Sequence, residues 1–173
     1  MRNKIGTKGI ALMGILMAMQ IILSRFLVIQ TPFVRIGFAF IPTIVMAMVF
    51  GPLFTGIGST LSDFIGISLF PTGGGYFPGF SVSAFLAGAI YGSFFYKKEM
   101  TWQRILIANL LVTFLIDICL NTLWLYLIMG PGVIAHIPLR IGKALILLPI
   151  QVLVMYALGN QGVLKRQITR FQS

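Results

Sequence analysis

Apolar residues occur along this chain in long blocks that are separated by turn-forming residues. A helix that crosses the hydrocarbon core of a bilayer needs about 20 mostly apolar residues. Strands of a membrane barrel would instead alternate apolar and polar side chains over about ten residues, and this sequence shows no such alternation. The blocks therefore predict an all-α membrane protein with six transmembrane helices, at 10–29, 36–50, 53–69, 80–96, 105–129 and 139–158.

Glycine and proline mark the breaks between the predicted helices. Gly51-Pro52 is typical of a tight turn in which proline opens the next helix. The other breaks contain the same residue types and are Thr31-Pro32, the glycines at 73–75 and Gly130-Pro131-Gly132. Because the composition does not change along the 173 residues, we expect one domain over 1–173.

Composition supports a membrane protein and argues against an enzyme. Hydrophobic residues make up 58% of the chain and charged residues 9%, with a mean hydropathy of +0.98. A soluble domain carries about 25% charged residues. One histidine and three acidic residues leave little material for a metal site or an acid–base pair. The P-loop of ATPases is absent, because Gly142-Lys143 lacks the upstream glycine and the following Ser or Thr.

The basic residues are distributed unequally between the two sides of the predicted bundle. Six helices place both termini on one side, and the positive-inside rule assigns the more basic side to the cytoplasm. The bilayer, rather than a nucleic acid, thus explains the formal net charge of +10. Nine basic residues lie on the side of the termini: Arg2, Lys4, Lys8, Lys97, Lys98, Arg104, Lys165, Arg166 and Arg170. We expect a multi-pass protein of the cell membrane with both termini cytoplasmic.

Four basic residues do not follow this distribution. Arg25, Arg35, Arg140 and Lys143 lie at the outer ends of the predicted helices or in outer loops. A cation at the centre of the hydrocarbon costs about 2.5–3.5 kcal/mol, and less toward the interface. Cations that oppose the orientation signal at such a cost indicate a functional use.

Two polar stripes follow helical spacing on the last two predicted helices. If the stripes face each other, they line a cleft that opens outward and is cationic at its mouth. Such a cleft suits a small anion with a planar polar ring, since arginine binds carboxylates, tryptophan stacks and asparagine makes paired hydrogen bonds. The stripes are Asp117, Asn121 and Trp124 on the fifth helix, and Arg140, Lys143, Leu147 and Gln151 on the sixth.

These polar residues also have simpler explanations. Arg140 and Lys143 could extend to lipid headgroups. Asn121 could form a hydrogen bond between helices, and Trp124 could belong to an interfacial aromatic belt. Asp117 could pair with a neighbouring cation and have no other role.

The outer loop at 70–80 contains three consecutive glycines and several aromatic residues. Glycine permits backbone conformations that other residues resist, and aromatic side chains offer flat apolar surface. The loop could therefore close over a ligand as a lid that includes Tyr76 and Phe77. The alternative is a plain connection with interfacial aromatic residues.

The first predicted helix carries a face of small residues, Ala11, Gly14 and Ala18. Small side chains let a second helix approach closely within a membrane. That second helix could belong to this chain or to a partner protein.

The sequence resembles the substrate-binding (S) subunits of energy-coupling factor vitamin transporters over nearly its whole length. The pattern Gly51-Pro52…Asp63 is common to S subunits of several specificities, whereas the runs at 76–80 and 121–124 point to the folate-specific branch. One departure is in the first helix, where the family pattern Ala-xxx-Ala is interrupted by Ile15. The segments that carry the resemblance are 23–26, 50–53 with Asp63 and Gly66, 75–80, 83–86, 91–92, 120–125 and 138–140.

The resemblance implies a six-helix protein that binds one vitamin near the outer surface without a cofactor. It implies partners as well: a transmembrane coupling subunit, which docks on the small face of the first helix, and two cytoplasmic ATPases. For folate, we expect the pterin near Asn121 and Trp124, and the glutamyl tail near one of the four outer cations. The alternatives are an S subunit for another small metabolite, or a proton-coupled transporter that uses Asp63 or Asp117 as its relay.

Overall fold

The described part of the chain is mostly helical. A computed structural model describes residues 6–30, 35–71 and 76–160, without the side chains of Gln30 and Arg35. A π-helix, Val112–Leu120, joins α4 to α5, and a 3-10 helix, Pro131–His136, precedes α6. The α-helices are α1 Thr7–Arg25, α2 Phe40–Leu69, α3 Pro78–Phe95, α4 Trp102–Leu111, α5 Asn121–Met129 and α6 Ile137–Asn160.

Five segments within the described residues are long and apolar enough to cross a membrane. They are Thr7–Arg25, Phe40–Leu69, Pro78–Phe95, Trp102–Met129 and Pro131–Asn160. Since a residue of α-helix rises 1.5 Å, even the shortest, of 18 residues, is about 27 Å long. The structure therefore confirms the mostly helical character that the apolar blocks predict, with helices of the length and composition that a membrane span requires.

The segment Phe40–Leu69 turns back on itself at Gly51. This glycine has a φ of 80°, in the left-handed region, and Pro52 follows it directly. A methyl group placed on Gly58 would lie 3.3 Å from the sulfur of Met46, although twelve residues of straight helix would span about 18 Å. The two halves of α2 therefore pack side by side, with the tight turn where the sequence predicts it.

A short β-hairpin follows α1 and corrects the prediction of an exclusively helical chain. Strand β1, Val28–Gln30, pairs antiparallel with β2, Arg35–Gly37, and places Ile29 opposite Ile36. The predicted ends at 29 and 36 are therefore wrong, because α1 stops at Arg25 and α2 starts at Phe40. Branched side chains favour strands, and pairing satisfies the backbone groups that a longer helix would have used.

Helix α3 packs closely along the second half of α2. A methyl group on Gly88 would lie 2.8 Å from the carbonyl oxygen of Thr55, and one on Gly92 would overlap the backbone of Pro52. Small residues allow this approach, as is usual where helices meet in membranes. The contact holds α3 in a fixed position relative to the Gly51 turn.

Replacing Gly92 with alanine is expected to destabilise the protein by about 1–3 kcal/mol, because the added methyl group forces α2 and α3 apart. Thermal unfolding of the detergent-purified variant measures the loss. Gly142→Ala is the matched control. Among the described residues, nothing outside its own stretch of α6 lies within 4 Å of a methyl group there, and alanine is the better helix former. A Gly92 variant as stable as this control would contradict the packing.

The apolar core lies toward the end of α3 that precedes the 96–101 connection. Tyr91 and Phe95 stack there with ring centroids 5.8 Å apart. The core residues around them come from α2, α4 and α6 and include Ile44, Ala47, Ile105, Ala108, Val152 and Met155. The space beyond Tyr91, along the helices away from this core, is left to polar side chains.

Candidate functional site

A cavity of about 180 Å³ lies among the helices beyond the apolar core. Amide and hydroxyl groups line much of it, although a polar group within a membrane bundle is unfavourable unless it has a partner or a function. The polar residues that line the cavity are Gln20 from α1, Thr43 and Ser59 from α2, Tyr91 from α3, Asn109 from α4, Thr113 and Asp117 from the π-helix and Gln151 from α6. The cavity is therefore the leading candidate for a ligand site.

The π-helix aligns four polar residues that are spaced four apart: Asn109, Thr113, Asp117 and Asn121. In an α-helix each step of four residues rotates by about 40°, so such a row would drift around the helix. Hydrogen bonds to the fifth rather than the fourth residue widen the turn and reverse that drift. As a result Asn109, Thr113 and Asp117 all reach the cavity. The Nδ2 group of Asn121 donates to Asp117 Oδ1 at 3.2 Å.

The two predicted polar stripes meet at Asp117. Arg140 donates from Nη2 to the backbone oxygen of Asp117 at 2.9 Å, and Lys143 Nζ lies 3.9 Å from Asp117 Oδ2. Arg140 Nη1 and Asn121 Oδ1 are buried and have no hydrogen-bond partner among the described residues. Lys143 thus lies beside the carboxylate of Asp117 and Arg140 binds its backbone oxygen, so the group has positive charge and hydrogen-bonding capacity left for an anion.

Arg25 is engaged within the protein rather than open to the cleft. Its Nη2 atom lies 3.7 Å from Asp63 Oδ1, and Ser81 donates to Asp63 Oδ2 at 3.1 Å. Its side chain is 3% exposed and passes Gly66, where a methyl group would lie 3.0 Å from Arg25 Nε. Arg25 therefore ties the end of α1 to α2 and, through Ser81, to α3.

The two aromatic residues of the predicted lid separate in the structure. Phe77 packs against Trp124 with ring centroids 5.8 Å apart, and Trp124 Nε1 donates to Ser83 Oγ at 3.0 Å. Tyr76 instead packs edge-on against Phe64 at 5.2 Å. Phe77 and Trp124 therefore form one aromatic cluster above the polar stripe, and Tyr76 extends the aromatic surface toward α2.

Comparison with known proteins identifies the family. The family model for the substrate-specific component of ECF (energy-coupling factor) transporters matches residues 8–160. The chain belongs to this family. It is 43% identical over 144 residues to the folate transporter FolT of Clostridium novyi (strain NT), which covers 83% of each chain. It is 33% identical over 167 residues to the folate transporter FolT of Leuconostoc mesenteroides, covering 93% of this chain and 89% of that one.

A solved structure, described as FolT bound with folic acid, shares the fold of this S component. The two are 52% identical in sequence, and their TM-score is 0.85. The match covers 90% of this chain and 96% of the other. The overall fold is therefore shared with a solved structure, and the resemblance drawn from the motifs is confirmed.

The small face of α1 is exposed in the described part of this S component. Ala11, Gly14 and Ala18 are all exposed. Among the described residues, nothing outside its own stretch of helix lies within 4 Å of a methyl group placed on Gly14. Of the two explanations that the sequence left open, the structure therefore excludes packing of this face within the described chain.

Parts of the predicted site lie outside the described residues, and other parts of the cavity were not predicted. The side chain of Arg35 and the glycines at 73–75 are not described. The polar cavity residues absent from the sequence prediction are Gln20, Thr43, Ser59, Tyr91, Asn109 and Thr113. The spacing of four from Asn109 to Asn121 is a signal in the sequence, but on a regular α-helix the row drifts around the helix and its ends do not share one face.

Proposed function

We propose that this S component captures folate at the outer face of the cell membrane and delivers it inward with partner proteins. The observation that carries the proposal is the joining of a cavity lined by amides and hydroxyls to the two cations beside Asp117. Folate combines a flat, hydrogen-bonding pterin with a glutamate that bears two carboxylates, so its two ends need those two environments. The names of the two relatives and the folic acid in the similar structure support the same ligand.

The site residues take distinct roles in this proposal. Arg140 and Lys143 bind the carboxylates of the tail, and Asn121 adds a hydrogen bond beside them. Phe77 and Trp124 close the mouth of the cavity, with Tyr76 at its edge. Arg25 acts by holding α1 in place, and Arg35 remains a predicted contributor to the tail site.

The proposal also covers the number of membrane spans and the side of the membrane on which the termini lie. Because α2 turns back at Gly51, its two halves count as separate spans, which makes six transmembrane helices in one domain. An even number of spans places both termini on one side, and the excess of Lys and Arg there indicates the cytoplasm. The chain is not an enzyme in this scheme, and its ligand is its only bound small molecule.

Energy comes from partners in this proposal, as the family description implies. A transmembrane coupling subunit docks on the small face of α1, formed by Ala11, Gly14 and Ala18, and two cytoplasmic ATPases supply the P-loops that this chain lacks. We expect the isolated protein to bind folate in a calorimetric titration. In vesicles it should accumulate folate only when the coupling subunit, the ATPases and ATP are present. Accumulation of folate against a gradient by the protein alone would favour the proton-coupled alternative. Tighter binding of another vitamin would replace folate as the proposed ligand.

The variant Gly14→Leu tests the docking face within the same experiment. Because a methyl group on this exposed glycine would meet no described atom outside its own stretch of helix within 4 Å, leucine should leave folding and folate binding unchanged. Uptake by the complete complex should fall at least tenfold, since the larger side chain keeps the partner helix away. Gly132→Leu, at an equally open and exposed glycine of the 3-10 helix, should retain uptake. Equal uptake by the two variants would place the docking surface elsewhere.

A further inference from the structure

A second cavity, of about 340 Å³, lies where α4 begins and α6 ends. Two segments long and apolar enough to cross a membrane, Trp102–Met129 and Pro131–Asn160, begin and end there. The cavity therefore lies at the boundary between hydrocarbon and lipid headgroups. It has no described lining residue in common with the first cavity. Its described lining residues are Glu99, Met100, Thr101, Trp102, Tyr156 and Asn160.

Two aromatic rings form adjacent walls of this second cavity. Trp102 and Tyr156 meet edge to face, with ring centroids 5.9 Å apart and an angle of 78° between their planes. Both side chains are exposed, so ring surface remains open to a ligand. A cation over the face of Trp or Tyr is attracted by the ring, and paired aromatic rings are a common way to bind ammonium groups. These walls therefore favour a cation over an anion.

Glu99 adds a negative charge to the same cavity. The sequence contains three acidic residues, and the other two, Asp63 and Asp117, lie 3.7 Å and 3.9 Å from the nitrogen of a basic side chain. In the part of the chain that the structure describes, no such ion pair joins Glu99 to a basic residue. Its carboxylate is therefore available to a cationic ligand.

The backbone around Glu99 is held in place. Its carbonyl oxygen accepts hydrogen bonds from Thr101 N at 3.0 Å and from Arg104 Nη1 at 2.9 Å. The next residue, Met100, is buried against α6, where a methyl group on Gly159 would lie 2.6 Å from Met100 Cβ. The connection from α3 to α4 is thus packed on the end of α6. This packing keeps the carboxylate and the aromatic walls together.

We propose that this cavity binds the primary ammonium headgroup of a phospholipid such as phosphatidylethanolamine. Trp102 and Tyr156 offer their ring faces to the ammonium, and Glu99 balances its charge. Three hydrogen-bond acceptors line the cavity for its N–H donors: the Glu99 carboxylate, the Thr101 hydroxyl and the Asn160 amide oxygen. The Thr101 hydroxyl is not used to cap α4. A quaternary ammonium has no N–H donors, so these acceptors favour a primary one.

The rest of such a lipid also finds partners beside the cavity. Arg104 uses Nη1 on the backbone oxygen of Glu99, but a guanidinium has further N–H donors and binds phosphate well. Leu153, one turn before Tyr156 on α6, is exposed and offers apolar surface to an acyl chain. The arrangement therefore suits a lipid rather than a small soluble amine.

This lipid site is separate from the proposed capture of folate. It uses the ends of α4 and α6, whereas the proposed docking face for the coupling subunit is on α1. The headgroup therefore stays bound while the partner docks.

Native mass spectrometry of the full-length protein in detergent, titrated with phospholipids of matched acyl chains, tests the proposal. The wild type should bind phosphatidylethanolamine about fivefold more tightly than phosphatidylcholine, which has the same net charge but no N–H donor. Glu99→Gln should bring this ratio close to one. Phosphoethanolamine, the headgroup without acyl chains, should bind far more weakly than the lipid.

A second variant tests the aromatic walls. Trp102→Leu should weaken binding of phosphatidylethanolamine about threefold. Tyr126→Leu removes an exposed aromatic residue from α5 instead and should leave binding unchanged. Calorimetric titration with folic acid should give the wild-type affinity for all three variants, which checks that they are folded.

Two results would overturn the lipid site: equal binding of the two lipids by the wild type, or an unchanged ratio in Glu99→Gln. Phosphoethanolamine bound as tightly as the lipid would overturn it as well, in favour of a soluble amine. A wild-type protein that prefers phosphatidylethanolamine but does not bind folic acid would support the lipid site and contradict only the proposed function.

Discussion

Replacing Arg140 with alanine is expected to weaken folate binding at least tenfold. Its Nη2 atom is held by the backbone oxygen of Asp117 at 2.9 Å, and its buried Nη1 atom has no partner among the described residues. The guanidinium group is thus both oriented and largely desolvated before a carboxylate arrives. Removing one partner of such a charge pair costs about 2–5 kcal/mol, or 30-fold or more in affinity.

Titration with folic acid and with pteroic acid, which lacks the glutamate, measures the loss of affinity. The comparison shows which end of the ligand Arg140 contacts. The loss on Arg140→Ala should be much smaller for pteroic acid. Arg104→Ala is the control, because its guanidinium donates to the backbone oxygen of Glu99 at the start of α4, outside the site. Unchanged affinity for folic acid would remove Arg140 from the site, and equal losses for both ligands would assign it a structural role.

Replacing Asp63 with alanine is expected to lower the free energy of unfolding by about 3–5 kcal/mol. The substitution removes the carboxylate 3.7 Å from Arg25, whose side chain is 3% exposed, and leaves the cation buried without that counter-charge. It also removes the acceptor for Ser81 on α3. Thermal unfolding in detergent measures the loss.

Two further variants test whether the loss of stability depends on the burial of the ion pair between Arg25 and Asp63. Asp117→Ala should cost far less stability, since the side chain of Asp117 is 43% exposed and its ion pair with Lys143 spans 3.9 Å. The double variant Arg25→Met with Asp63→Ala should recover most of the loss, because apolar residues often replace a buried ion pair without penalty. An Asp63 variant with the stability of the wild type would show that the pair is not needed. The same pairing weakens the alternative in which Asp63 relays protons.

Local patterns in the sequence account for much of the fold. Long apolar blocks predict the membrane-spanning helices because the hydrocarbon core requires a minimum length of apolar side chains. Gly51-Pro52 predicts the turn within α2, since glycine readily adopts a positive φ and proline suits the first turn of a helix. The stripes of α5 and α6 also follow from local spacing, and the structure brings them together at Asp117.

Non-local packing accounts for what the sequence did not reveal. Nothing in the neighbourhood of Arg25 indicates that its partner is Asp63, which lies 38 positions further along the chain. The separation of Tyr76 from Phe77 depends on which helices each ring meets. The hairpin between α1 and α2 is so short that, in the sequence, its apolar residues resemble a continuation of the neighbouring helices.

For this protein, the amino-acid sequence was sufficient to predict the membrane location, the turns, the family and the two polar stripes. Those features depend on hydropathy, glycine, proline and spacing within one helix, which are properties of neighbouring residues. The cavity required the folded chain, because its amide side chains come from three separate helices and the π-helix turns Asn109 and Thr113 to the same face as Asp117. A helix changes its winding in response to the groups packed around it, and no short stretch of sequence contains those groups.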